Sequence, residues 1–292
     1  IAHYKPDVVI LIDYPGFNLR MAKWTNENQY KTIFYISPQI WAWKENRIKA
    51  IKKYVDKMLV ILPFEKEFYQ KWNYDVTYVG HPLVEVVENF IDSHPEIKKE
   101  KSTIALLPGS RKQEIKTKLP IMLEATKNFP EYKFIVAKAP GLEDAFYEQF
   151  FTNYKNVHTA TDNTYSVLMQ SSAALVTSGT ATLETALFGV PEIVCYKGSA
   201  ISYEIARRLI KLKYISLVNL IMDKEVVKEL IQNELTSKNI THHLQIILDD
   251  PENKNRIQNN YAQLKELLSK GGNASENAAK EIIQFLDSST VH

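Results

Sequence analysis

The stretch TSGTATLETALFGVPEIV, Thr177–Val194, places Ser178, Gly179 and Thr180 between the apolar run AALVT and a segment of helical length. A strand-to-helix turn of this kind gathers backbone N–H groups at the positive end of the helix dipole, where a phosphate fits. Glu184 stands four residues after Thr180, one helical turn along the same face, where a carboxylate accepts hydrogen bonds from vicinal hydroxyls such as those of a ribose. The competing reading is a plain helix start whose glutamate complements the dipole. A capping box is a poorer fit, because Leu183 occupies the third position after Thr180.

LLPGSRKQEI, Leu106–Ile115, repeats the geometry. Gly109 and Ser110 make the turn, and Arg111 projects a planar fork of five donors suited to phosphate oxygens, unless it is a surface arginine paired with Glu114. Two phosphate-friendly loops in one α/β region point to a nucleotide or a nucleotide-sugar. Neither a GxxxxGK[ST] loop nor a GxGxxG fingerprint is present, which counts against ATP hydrolysis and a dinucleotide cofactor.

Nearer the start, LIDYPGFNLR ends an apolar strand on Asp13. Partly desolvated, such a carboxylate has a raised pKa and serves as a general base; alternatively it is a turn or cap group. Pro15 and Gly16 shape the turn, and Asn18 suits a helix cap. YISPQIWAWKENRIK sets Trp41 and Trp43 beside Lys44 and Arg47, aromatic surface with positive charge for a sugar or a membrane face, or else core. His81 in YVGHPL reads as a structural hydrogen-bonding residue, and the other histidines lack metal-ligand spacing. No metal and no cofactor are expected. ISYEIARRLIKLKY lines up Ile201, Ile205, Leu209 and Leu212 beside Arg207, Arg208, Lys211 and Lys213, the pattern of a helix lying on anionic lipid or of an ordinary surface helix.

These loops need a frame. DVVILID, KTIFYIS, KMLVILP and VTYVG are continuous apolar runs separated by helix-length stretches, the signature of parallel strands covered on both faces. A charged segment follows, and the pattern restarts with TIALLPGSR, KFIVAK, NVHTA, AALVT and EIVCY. The chain therefore reads as α/β, with two Rossmann-like parallel-sheet domains facing across a cleft. The first spans residues 1–95 and the second 96–292, with a linker near 88–102. Beyond Ile201 the sequence reads as almost wholly helical, ending in a helix over 274–286. In open α/β sheets ligands sit at the carboxyl ends of the strands, which is where these loops fall.

The 292 residues suit two domains, and 45% hydrophobic with 24% charged residues is ordinary for a globular chain. A formal net charge of +2 counts against a nucleic-acid partner. Cys195, the one cysteine, lies inside EIVCY and reads as core; a chain without a possible internal disulfide fits a reducing cytoplasm. The chain opens at Ile1 almost directly on an interior strand, and residues preceding it are expected.

Taken in order, IDYPGFN, YISPQIWAWKENR, LPFEKEFY, YVGHPL, LLPGSRKQEI, SGTATLETALFGVP and ISLVNLI resemble lipid-A-disaccharide synthase, an inverting glycosyltransferase family of the GT-B fold. The resemblance implies transfer of 2,3-diacylglucosamine from its UDP donor to the 6-hydroxyl of 2,3-diacylglucosamine 1-phosphate, giving a β-1,6-linked disaccharide and UDP. It also implies a cytoplasmic enzyme, peripheral on the inner membrane, that forms a homodimer through its C-terminal helices. On this reading Asp13 is the general base, and Arg111 holds the diphosphate and stabilises the departing charge. Gly109, Ser110, Ser178, Gly179 and Thr180 cradle the phosphates, and Glu184 binds ribose or sugar. Asn219 and Gln232 fall in the family's donor-side helical region. Asn18, Trp41, Trp43, Arg207, Arg208 and Lys211 belong to the acceptor and membrane side. Members of the family begin with a strand and a G-E-x-S-G-D loop that is not found here, so about a quarter of the family's length is expected upstream. Two alternatives stay open: a UDP-sugar 2-epimerase of the same fold, and a nucleotide-binding fragment without turnover.

Overall fold

The computed structural model describes residues 1–198, 213–270 and 272–288. The chain divides into two compact units. Residues 1–85 with 266–270 and 272–288 form the first, and residues 86–198 with 213–265 form the second.

The first unit holds a four-stranded parallel sheet of β1 (Val9–Ile12), β2 (Thr32–Tyr35), β3 (Lys57–Val60) and β4 (Thr77–Tyr78), in that spatial order. Phe34, Met58 and Val60 pack with Ile48, Ile51 and Tyr69 on one side. The other side is covered by the last helix, Ala274–Ser288. Its Ala278, Ile282 and Phe285 pack with Ile33, Leu59 and Val79. Lys57 Nζ lies 2.6 Å from Glu281 Oε2, and Asn277 donates to the Val79 carbonyl. This corrects the expectation that the terminal helices belong wholly to the second domain. A sheet needs cover on both faces, and for this one an amphipathic helix from the far end of the chain supplies it.

The second unit holds six parallel strands: β5 (Thr103–Leu107), β6 (Lys133–Lys138), β7 (Val157–Thr161), β8 (Ala173–Thr177), β9 (Glu192–Tyr196) and β10 (Lys228–Ile231). Their order is β10-β9-β8-β5-β6-β7, the doubly wound arrangement in which the first and fourth strands of the unit lie side by side. The residues of β5 and β8 are all buried, as strands covered on both faces must be.

Two further corrections concern boundaries. The helix Pro82–Ser93 runs through the start of the expected linker, and the units divide between Glu85 and Val86. KELI was expected to be helical, yet β10 pairs residue by residue with β9, Glu229 opposite Val194 and Leu230 opposite Cys195. An open strand edge and burial of Val226, Val227 and Leu230 outweigh the local helical pattern. Among the described residues, no helix is long and apolar enough to cross a membrane.

Candidate functional site

The switch between β5 and β8 puts the loops after these strands next to each other, although 70 residues separate Gly109 from Gly179 in sequence. Together with the end of β6 they enclose a cavity of about 390 Å³. Seven residues singled out from sequence line it: Gly109, Ser110, Arg111, Ser178, Gly179, Thr180 and Glu184.

Both glycines are demanded by the backbone. Gly179, with φ 140°, precedes the helix Thr180–Leu187, and Gly109 has φ +119°. A Cβ on Gly109 would stand 2.5 Å from Glu114 Oε2, whereas one on Gly179 would meet nothing within 4 Å. Gly179 therefore leaves room for a ligand against the helix start. The two hydroxyls beside it diverge. Ser178 donates to the Ile215 carbonyl at 3.0 Å, so its proton is committed to holding the following segment. Thr180 lies exposed at the cavity mouth.

Arg111 precedes the helix Lys112–Thr126, with its side chain 83% exposed and Nη1 3.5 Å from Glu114 Oε1. The ion pair with Glu114 is thus present, and the exposed Arg111 also lines the cavity. Glu184 accepts from the Tyr165 hydroxyl at 2.9 Å. Burial and that carboxylate push the Tyr165 phenol upward, so it stays a donor.

Three residues not singled out from sequence complete the surroundings. Lys138, at the end of β6, lines the cavity and pairs with Asp144 of the helix Asp144–Phe151. Lys118 is buried, bonds the Thr177 hydroxyl and lies 3.8 Å from Glu114 Oε2. Burial lowers its pKa, while Glu114 pulls in the opposite direction. A signal for Lys118 existed: it falls on the stripe of Ile115, Leu119 and Met122, where a core residue was due. Tyr165 had none.

Asn219 and Gln232 do not line the cavity. Fully buried Asn219 sits in the helix Leu217–Met222, donates Nδ2 to the Val227 carbonyl and to Glu229 Oε1, and accepts from the Val226 and Val227 amides. Glu229 in turn accepts from the Ile215 and Ser216 amides. Asn219 thus braces the segment that Ser178 holds. Gln232 follows β10 with φ 53°, and its buried Nε2 finds no hydrogen-bond partner among the described residues.

In the first unit, Asp13 and Tyr14 both adopt left-handed backbone, at φ 46° and 43°, a strained elbow between β1 and the helix Pro15–Glu27. The Asp13 side chain is exposed, not desolvated as expected, because the elbow turns it off the end of the strand. Asn18 is not the helix cap; lying inside the first turn, its Nδ2 donates to the carbonyls of Ile12 and Asp13 at 2.9 and 2.7 Å and ties the elbow down.

The two tryptophans separate. Trp41 packs edge-on against Phe64 and donates to Glu65 Oε1. Glu65, 1% exposed, also accepts from the Leu62 amide, and burial raises its pKa to about 7. Trp43 is 48% exposed, with Lys44 Nζ 4.3 Å and Arg47 Cζ 5.7 Å from its ring centre. Arg207, Arg208 and Lys211 lie outside the described residues. His81 is buried, its Nδ1 accepts from the Leu83 amide, and burial lowers its pKa to about 4.

The sequence pattern of one family, described as lipid-A-disaccharide synthetase, matches residues 1–284. A relative named lipid-A-disaccharide synthase, from Syntrophus aciditrophicus, is 42% identical over 287 residues, covering 94% of this chain and 74% of its own. Among solved structures, a UDP-GlcNAc 2-epimerase from Neisseria meningitidis bound to UDP-GlcNAc superposes with TM-score 0.64 at 13% identity, over 97% of this chain and 78% of its own. The calicheamicin glycosyltransferase CalG4 gives 0.58 at 15% identity, over 97% and 74%. At such identities these two report the fold, which is GT-B.

Proposed function

The chain belongs to the lipid-A-disaccharide synthetase family, and from that premise we propose how its parts divide the work of a glycosyltransferase. The reaction moves 2,3-diacylglucosamine from UDP to the 6-hydroxyl of 2,3-diacylglucosamine 1-phosphate, with inversion. The observation that carries the reading is that two helix-start loops, the Arg111 side chain and the Glu184 carboxylate line one cavity at the β5/β8 switch.

There the amides of Gly109, Ser110, Gly179 and Thr180 receive the diphosphate, with Ser178 fixing the second loop. Arg111 offers a bidentate fork to the same oxygens and neutralises the charge that grows as UDP departs. Glu184, oriented by Tyr165, accepts from the ribose hydroxyls. Asn219 serves by bracing the segment behind Ser178, and the Gln232 amide, without a hydrogen-bond partner among the described residues, is assigned to the donor side. Asp13 in the first unit is the general base on the acceptor hydroxyl; Asn18 holds its elbow in place.

Four acyl chains per turnover call for a lipid-facing surface. Trp43 with Lys44 and Arg47 provides apolar area beside positive charge for contact with the cytoplasmic face of an anionic membrane, a role the sequence pattern also gives to Arg207, Arg208 and Lys211. Homodimerisation exchanges C-terminal helices such as Ala274–Ser288, a second copy's helix replacing the chain's own on its sheet. The epimerase alternative is not favoured, since its support is likeness of fold alone.

The test is a mass-spectrometric assay with both acylated substrates. Disaccharide and UDP are expected, with loss of UDP affinity in Arg111→Ala. An intact or epimerised donor would sink the transferase reading, and unchanged UDP affinity in the variant would remove the donor site from this cavity.

A further inference from the structure

An anion site has little use for a carboxylate, yet Glu114 lines this cavity and approaches a different cation with each of its oxygens. Its Oε1 lies 3.5 Å from Arg111 Nη1, and its Oε2 lies 3.8 Å from Lys118 Nζ. The two cations differ in kind. The Arg111 side chain is 83% exposed, and a long ion pair in that setting is weak and easily exchanged. The Lys118 side chain is 4% exposed, and its ammonium is anchored on the hydroxyl of Thr177, the residue that leads into the second loop. Glu114 reaches both because Gly109 has no side chain: its carboxylate lies 2.5 Å from where a Cβ there would stand.

Resting on the reading of this cavity as the diphosphate site, we propose that Arg111, Glu114 and Lys118 form a charge exchange. Without donor, Glu114 holds Arg111 at the cavity rim. When the diphosphate arrives, Arg111 leaves for the phosphate oxygens, and Glu114 is neutralised by Lys118 alone. Lys118 is thus a positioning residue. It keeps an unpaired carboxylate from repelling the diphosphate and ties the first loop, through the helix Lys112–Thr126, to Thr177 at the start of the second.

Titration calorimetry with UDP and with uridine on the intact chain tests this. Lys118→Met is expected to weaken UDP binding about tenfold and leave uridine binding unchanged, because an uncompensated Glu114 opposes only the phosphates. Glu114→Gln added to Lys118→Met is expected to restore UDP affinity to within about threefold of the parent, the non-additivity of a coupled pair. A lysine that merely supported the fold would lower uridine binding equally and would not be rescued; either result overturns the proposal. Glu114→Gln alone keeps the shape and is expected to bind UDP severalfold tighter, since Arg111 no longer has a competing partner. Weaker binding there overturns the exchange even if Lys118→Met does not fold. Failure of the parent chain to bind UDP would instead remove the donor-site reading, and this proposal with it.

Discussion

The Tyr165 hydroxyl donates to Glu184 Oε1 at 2.9 Å, joining the start of one helix, Thr164–Gln170, to the second turn of another, Thr180–Leu187. One carboxylate oxygen is thereby engaged by the protein, and on the reading proposed above the other accepts from the ribose. The Tyr165 ring is wedged against Phe90 and Phe188, so the donor is held as firmly as the acceptor.

Tyr165→Phe keeps the ring packing and deletes only this bond. Hydrogen bonds to charged groups are worth about 1.5–3 kcal/mol, so affinity for UDP should fall roughly tenfold or more by calorimetry. Affinity for pyrophosphate, which has no ribose, should not change.

Asp13→Asn replaces the carboxylate without altering the strained elbow that Asn18 supports. If Asp13 is the base, turnover should drop by about 10²–10⁴, with UDP affinity unchanged. A turnover rate close to that of the parent would assign the base elsewhere.

Gly109→Ala puts a Cβ 2.5 Å from the Glu114 carboxylate at φ +119°. The carboxylate can swing aside, but the backbone cannot relax without moving the loop. A stability loss of about 1 kcal/mol or more is expected in thermal unfolding, together with weaker UDP binding. Gly16→Ala is the control: no positive φ, nothing within 4 Å of the added carbon, and no change expected in UDP binding.

Two buried groups in the first unit oppose each other in pH. His81, lowered from 6.5 to about 4, binds fewer protons folded than unfolded; its stabilising contribution is complete above pH 6.5 and is lost as pH falls through 4. Glu65, raised from 4.5 to about 7, binds more protons folded; its contribution is complete below pH 4.5 and is lost as pH rises through 7. Each spans about 3 kcal/mol at full titration. His81→Gln should therefore leave a stability that declines from pH 4.5 to 7, and Glu65→Gln one that climbs from pH 4 to 6.5. Tryptophan fluorescence reads this unit selectively, because the four tryptophans, at 24, 41, 43 and 72, all belong to it. Parallel profiles for both variants would contradict the assignment.

What could be read from the linear chain was local. Continuous apolar runs such as TIALL and AALVT determined buried parallel strands, because a strand covered on both faces has no polar side to show. Gly109 before Ser110 and Gly179 between Ser178 and Thr180 determined two turns, since only glycine takes the backbone angles found at 109 and 179 without strain. What only the tertiary structure decided was adjacency. Setting β5 beside β8 is a matter of strand order, which no local pattern encodes, and it is this that merges two turns into one cavity. The same holds for β10, a helical pattern drawn out by an open sheet edge, and for the last helix, claimed by a sheet whose strands lie some two hundred residues earlier. Glu114, Lys118 and Tyr165 acquire their roles in the same way: their partners are determined by which elements pack together, and the free energy of that packing is collected over the whole fold, not within any one segment.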